Sequence, residues 1–224
     1  MFKSLSCREV RQLDVDAVQH LGMPSLLLME NAARGVVEEI QRLEPWTSIT
    51  IVAGPGNNGG DGLAIARLLG AMGKNVKVLL IRHGKTLSTD TSENLKFLVN
   101  SGIQVEEPKI DELRVHCDSL TEKDLIVDAL LGTGIRGTVN PALAEVIRGI
   151  NDSRAQVLSV DVPSGLDCDQ GLPCGDCVRA QTTVTFVSYK QGFLQVNAHE
   201  FTGTIKVCHI GIPQRWLEQW YSQL

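Results

Sequence analysis

Hydrophobic positions along this chain fall into two alternating patterns. Short continuous apolar or β-branched runs lie at Ser48 to Ala53, Val76 to Ile81, Leu125 to Asp128, Val157 to Asp161, Thr182 to Val187 and Thr204 to His209, with a weaker one at Ile103 to Glu106. Runs of this kind mark strands buried on both faces of a parallel sheet. Between them the period lengthens. Leu28, Ala32, Val36, Ile40 and Leu43 recur at helical spacing, and Glu30, Arg34 and Glu38 form a charge row on another face. Gly62 to Ala71, Thr91 to Asn100 and Ala142 to Ile150 also read as helices, with Asp90 and Glu93 spaced as a cap for the second of them. Cys7 to His20 predicts a leading helix and Pro213 to Tyr221 a closing one.

Helices alternating with buried strands predict an α/β fold, a doubly wound sheet. No linker, repeat or shift in composition divides the chain, so residues 1–224 read as one domain. Two leading helices precede the βα series, which does not require them. They either pack on the sheet or form a subunit interface.

Composition narrows the function classes. With 43% hydrophobic and 21% charged residues in 224, the chain has enough apolar surface for one sizeable core. No apolar run approaches the ~18 residues of a membrane helix, and Met1 to Glu9 lacks the apolar stretch of a signal peptide. The expectation is a soluble, cytoplasmic protein. A net charge of −5 without a Lys/Arg block, and few aromatics, argues against a nucleic-acid groove. Cys168, Cys174 and Cys177 lie close together, but no second ligand pair follows at zinc spacing. Free thiols in a surface loop are the expectation.

Ligands of open parallel sheets bind outside the carboxyl ends of the strands. After the first run stands Gly54-Pro55-Gly56-Asn57-Asn58-Gly59-Gly60-Asp61-Gly62 and then a helix. Its glycines permit close backbone approach, and its amides meet a helix N-terminus, which makes an anion cradle. The loop is neither a Walker A sequence nor a GxGxxG fingerprint. Asp61 suits the helix dipole but repels a phosphate placed too near. After the third clear run comes Asp128-Ala129-Leu130-Leu131-Gly132-Thr133-Gly134-Ile135-Arg136-Gly137. Asp128 closes an apolar strand, which is costly unless the carboxylate is paired, coordinated or loop-bonded. Arg136 either reaches an anionic ligand or is a solvated surface charge. After the fourth comes Asp161-Val162-Pro163-Ser164-Gly165-Leu166-Asp167, again with a strand-end carboxylate. It is no nucleophile elbow, and no His partners Ser164. Arg82 and His83 follow the second run and read as surface residues. Asp61, Asp128 and Asp161 thus converge on a crevice otherwise suited to phosphate, which calls for a cation or separate subsites. The ligands on offer are hard oxygens, fitting an alkali or alkaline-earth ion.

These segments, with Met29-Glu30-Asn31-Ala32-Ala33 and Ile210-Gly211-Ile212-Pro213, resemble the NAD(P)H-hydrate epimerases, the YjeF N-terminal domain family. The resemblance runs along nearly the whole chain and implies a three-layer αβα Rossmann-like sandwich, without the dehydratase domain of fused members. It implies interconversion of the R and S epimers of hydrated NADH or NADPH, with a separate dehydratase consuming the S form, and a homodimer. By the same resemblance, dinucleotide contacts fall on Asn57, Asn58, Gly59, Gly60 and Asp61, on Gly132, Thr133, Gly134, Ile135, Arg136, Gly137 and Thr138, and on Asp161. A potassium site falls on Asn58, Asp128 and Ser164. Arg82 stands where the family often has Lys, and Arg stays protonated. The chemistry implied is loss of hydroxide beside the ring nitrogen and return of water to the other face. General acid–base catalysis by Asp128, or failing that Asp161, is the expectation. A non-catalytic dinucleotide-binding or scaffold module of the same fold is the alternative. A nicotinamide-dependent dehydrogenase is disfavoured, because no acidic residue ends the second strand to read a ribose.

Overall fold

A computed structural model describes residues 4–135 and 137–224. Seven strands form one sheet: β1 (Ile49–Ala53), β2 (Val76–Leu80), β3 (Val105–Glu106), β4 (Leu125–Ala129), β5 (Gln156–Val160), β6 (Thr182–Phe186) and β7 (Thr204–Cys208). Their order is β3-β2-β1-β4-β5-β6-β7, with every neighbouring pair parallel. The chain reverses its winding between β1 and β4. Loops leaving those two strands therefore diverge to opposite faces and leave a crevice between them.

Eight α-helices accompany the strands among the described residues: α1 (Cys7–Leu21), α2 (Ser25–Arg42), α3 (Asn57–Ala71), α4 (Thr89–Asn100), α5 (Ile110–Ser119), α6 (Pro141–Asp152), α7 (His199–Thr202) and α8 (Gln214–Tyr221). Alternate strand residues point to opposite faces. Ile49, Ile51, Val78 and Val127 meet Val36 and Ile40 of α2, Leu63 and Leu69 of α3 and Leu98 of α4. Val52, Leu79, Ile126 and Val157 meet Leu113 of α5 and Leu143, Ile147 and Ile150 of α6 on the other side. The result is a three-layer αβα sandwich. No helix among the described residues is long and apolar enough to cross a membrane.

The two leading helices pack on this body. Leu13 and Ala17 of α1 join Leu28 and Ala32 of α2, Ile210, Ile212, and Leu217 and Trp220 of α8 in a third cluster. The Trp220 indole donates to Asp16 at 2.7 Å, tying the last helix to the first.

Three expectations need correction. Helix α3 begins at Asn57, so most of the glycine-rich segment read as a loop is the helix's first turns. Helix α4 is capped by Ser88, whose hydroxyl receives the Thr91 amide, rather than by Asp90. Cys168 is no free thiol in a surface loop: it is buried and joined by a disulfide to Cys7, and Cys177 is buried too. The joined cysteines lie 161 positions apart, with a Cα–Cα distance of 6.1 Å. Helix α5 has only two fully buried positions, Leu113 and Cys117, too few to show helical spacing in the sequence.

Candidate functional site

At the switch point lies a cavity of about 930 Å³. Its floor begins with the junction of β1 and α3. A side chain at Gly59 would strike the Gly54 carbonyl, and one at Gly54 would strike the Leu130 carbonyl. Those two glycines let α3 start directly against the ends of β1 and β4. Gly56 is the N-cap and contributes no side-chain bond, and the Gly60 amide makes the bond back to the Gly56 carbonyl, at 3.2 Å. The amides of Asn57, Asn58 and Gly59 precede that bond and remain as donors at the positive end of the helix. Asn57, Asn58 and Asp61 line the cavity, as do Gly132, Thr133, Gly134, Ile135 and Thr138 from the loop after β4. Gly59, Gly60 and Gly137 are not among its lining residues, Gly137 turning the loop with φ of 71°. Arg136 lies outside the described residues.

Asn58, Asp128 and Ser164 come together through one residue, Leu131. The Asn58 amide nitrogen donates to the Leu131 carbonyl at 2.9 Å, and the Leu131 amide donates to Ser164 Oγ at 2.8 Å. Ser164 Oγ in turn donates to Asp128 at 2.5 Å. Asp128 also accepts from Ser159 Oγ at 2.8 Å, the Ser164 amide at 2.9 Å and the Leu130 amide at 3.3 Å. Its carboxyl is fully buried and pushed up by that burial, while the bonds from Ser164 and Ser159 oppose the rise. No cation pairs with it among the described residues. Asn58 Oδ1 is buried and has no hydrogen-bond partner. A buried carboxylate without a cationic partner, beside an orphaned carbonyl oxygen and a hydroxyl, is a hard-oxygen set that fits an alkali or alkaline-earth cation.

Asp128 does not line the cavity, and both of its oxygens accept from donors of its own and neighbouring loops. Ser164 likewise sits beneath the cavity. Arg82 lies away from it and pairs with Glu107 at 2.9 Å.

Asp161 does face the cavity. It follows β5 with φ of 63°, a left-handed conformation rare for a residue other than glycine. Oδ1 is held three times: by the Lys190 ammonium at 2.7 Å, Thr185 Oγ1 at 3.1 Å and the Phe186 amide at 3.4 Å. Oδ2 has no partner among the described residues. Lys190 is 0% exposed, the largest fully buried side chain. A charge so placed is tolerable only because Asp161 and the Phe186 carbonyl at 3.4 Å receive it. Lys190 escaped the sequence reading because a lysine beyond β6, next to aromatic Tyr189, has the look of a loop charge.

Two further carboxyls line the same cavity. Asp61 is pushed well up by burial, then by Asp161, Asp14 and Asp90. Both burial and these neighbours disfavour the charged form of Asp61, which eases the conflict between this residue and a phosphate at the start of α3. Asp14 of α1 is pushed up to about 6, by desolvation first and the Asp161 charge second, with Lys190 opposing. Asp14 was read only as part of a leading helix, since its chemistry depends on where that helix docks.

The model of a family described as the YjeF-related protein N-terminus matches residues 25–192. Among curated relatives, an NAD(P)H-hydrate epimerase of Rhodopirellula baltica is 36% identical over 215 residues, covering 96% of this chain and 87% of the relative. An NAD(P)H-hydrate epimerase of Limosilactobacillus reuteri is 38% identical over 209 residues, covering 92% and 95%. A bifunctional NAD(P)H-hydrate repair enzyme of Thermofilum pendens is 39% identical over 213 residues, which span 94% of this chain but 40% of that one. The crystal structure of a yeast protein superposes with a TM-score of 0.78 at 22% identity, covering 97% of this chain and 93% of that one, a likeness of fold.

Proposed function

We propose, from the premise that this chain belongs to the YjeF-related N-terminal family, that its switch-point cavity is where it works as an NAD(P)H-hydrate epimerase. The reaction interconverts the R and S epimers of hydrated NADH and NADPH. The observation that carries the assignment to this cavity is Asp161, a strand-end carboxylate with one oxygen locked by Lys190 and the other unpartnered at the cavity. The amides opening α3 receive the dinucleotide's phosphates.

In the substrate the stereocentre bears a hydroxyl beside the ring nitrogen. The nitrogen lone pair forms a C=N bond as the C–O bond breaks, and a protonated carboxyl gives the departing oxygen its proton. Water adds to the other face, the C=N electrons return to nitrogen, and a carboxylate accepts the surplus proton. Asp161, rather than the fully engaged Asp128, takes part in this exchange. Such acid–base assistance is typically worth about 10²–10⁴ in rate.

Asn58, Asp128 and Ser164 would hold a potassium ion, which would supply a fixed positive charge to the site. The reading also includes a homodimer, with Val15 of α1 and Leu27 of α2 as exposed apolar contacts, and a separate dehydratase that consumes the S epimer. The non-catalytic alternative gains no support from a site in which Asp61, Asp128, Asp161 and Ser164 are all in place.

The test uses hydrated NADH whose S epimer is drained by a dehydratase. Catalytic amounts of this chain should speed consumption of the remaining R epimer, and replacing potassium by lithium should slow it. Folded protein that binds NADPH yet gives no acceleration would sink the reading.

A further inference from the structure

Helix α1 carries an acidic side chain that its own packing does not explain. Val10, Asp14 and Val18 follow one another at i, i+4 spacing and all line the cavity, while Leu13 and Ala17 face the core. A carboxyl thus stands between two valines on a wall where an aliphatic side chain would fit. The other acidic groups of this helix have structural work. Glu9 completes a capping box with Ser6, and Asp16 receives the Trp220 indole. Asp14 makes no hydrogen bond or ion pair among the described residues. Asp14 is exposed to the open cavity, so its carboxyl is free to meet whatever binds there beside Asp161.

The helix is also held firmly where Asp14 needs it. Cys7 at its start is joined to Cys168, and the Cys7 amide donates to Asp169 at 2.6 Å. The Arg11 guanidinium donates to the Thr133 carbonyl in the loop after β4. These contacts fix α1 against the two strand-end loops that carry the rest of the site.

Resting on the epimerase reading above, we propose that Asp14 is a second proton-transfer group of the reaction, serving one face of the hydrated ring while Asp161 serves the other. An epimerisation that proceeds by loss and return of water needs proton exchange on both faces, and the two carboxyls come from different elements, Asp161 from a strand end and Asp14 from the helix docked against it. In one direction the Asp14 carboxylic acid gives its proton to the departing hydroxyl, which leaves as water as the C=N bond forms. Water then adds on the opposite face, and the Asp161 carboxylate takes its proton. The reverse direction exchanges the two roles, so one proton shared by the pair serves both.

The charges around Asp14 set the pH dependence. Asp161 and Lys190 face it from the strand-end loops, Asp61 lies across from it on α3, and Arg11 is committed to Thr133 one turn earlier. Desolvation and Asp161 together outweigh Lys190 and raise Asp14 to about 6. The shared proton is therefore lost as pH rises through about 6, and turnover should fall with it.

The experiment measures kcat and KM for the dehydratase-coupled R epimer of hydrated NADH between pH 5 and 8, for wild type, Asp14→Asn and Asp14→Glu. Asp14→Asn should lower kcat about 100-fold, leave KM within a few-fold and abolish the decline above pH 6. Asp14→Glu should restore part of kcat and keep the decline. Thermal melts establish that both variants fold, and the amide, which replaces an exposed carboxyl that makes no hydrogen bond or ion pair among the described residues, should melt no lower than wild type. An Asp14→Asn variant with wild-type kcat, or with its alkaline decline intact, overturns the proposal alone. Wild type that fails to accelerate removes the epimerase reading and this proposal together.

Discussion

Lys190 and Asp161 form the pair on which the site's geometry rests. The ammonium is fully buried and the carboxylate largely so, at 15% exposed. Removing one partner of such a pair leaves the other desolvated and uncompensated, a loss of about 3–5 kcal/mol for a fully buried pair. Lys190→Met is therefore expected to lower the denaturation midpoint clearly and to cut epimerisation more than tenfold, since Asp161 loses its anchor. Urea unfolding and the coupled assay check this; unchanged stability would mean that the ammonium does not hold the carboxylate in solution. Asp161 was legible in the sequence because a polar residue closing an apolar run stands out. Its partner was not, because a lysine carries no local mark of burial. Asp128 was equally legible, and the sequence could not separate it from Asp161. The distinction lies in four donors contributed by Leu130, Ser159 and Ser164, and only the folded loops bring them together.

Among the elements, α3 shows most directly how local preference yields to tertiary demand. Its first turns contain Asn57, Asn58, Gly59 and Gly60, which are poor helix formers. They are helical because Gly59 lets the first turn close directly on the Gly54 carbonyl, where a side chain would clash. Gly59→Ala is expected to force the Gly54 carbonyl away, costing about 1–3 kcal/mol and weakening NADPH binding at least tenfold. Equilibrium unfolding and a binding titration check this, and near-wild-type values for both would show that the close approach is dispensable. The strands were legible for the opposite reason. Continuous apolar runs such as Ile49–Ala53 leave little choice but burial on both faces. Helix α1 was legible as a helix, but nothing in its periodicity placed Asp14 at the cavity or Cys7 beside Cys168, since both depend on docking against loops more than a hundred residues away.

For the whole molecule, the strand order β3-β2-β1-β4-β5-β6-β7 decides where function can be. The reversal between β1 and β4 opens one crevice, and the chain places there a helix N-terminus with free amides and three carboxyls, one of them, Asp161, anchored by a buried lysine. Desolvation first, and the neighbouring carboxylates second, push Asp14 and Asp61 up. That balance suits a reaction moving a proton between two faces of a ring with no net redox change. The direct test starts from the isolated R epimer of hydrated NADH and follows the S epimer by chromatography, with wild type and Asp161→Asn. Asparagine accepts the left-handed backbone at this position but leaves the buried Lys190 ammonium without its carboxylate, so a thermal melt first establishes that the variant is folded. Wild type should bring R and S to equilibrium far faster than buffer, and Asp161→Asn should be about 100-fold slower while still binding NADPH. An Asp161→Asn variant as fast as wild type, or wild type no faster than buffer, would contradict the account.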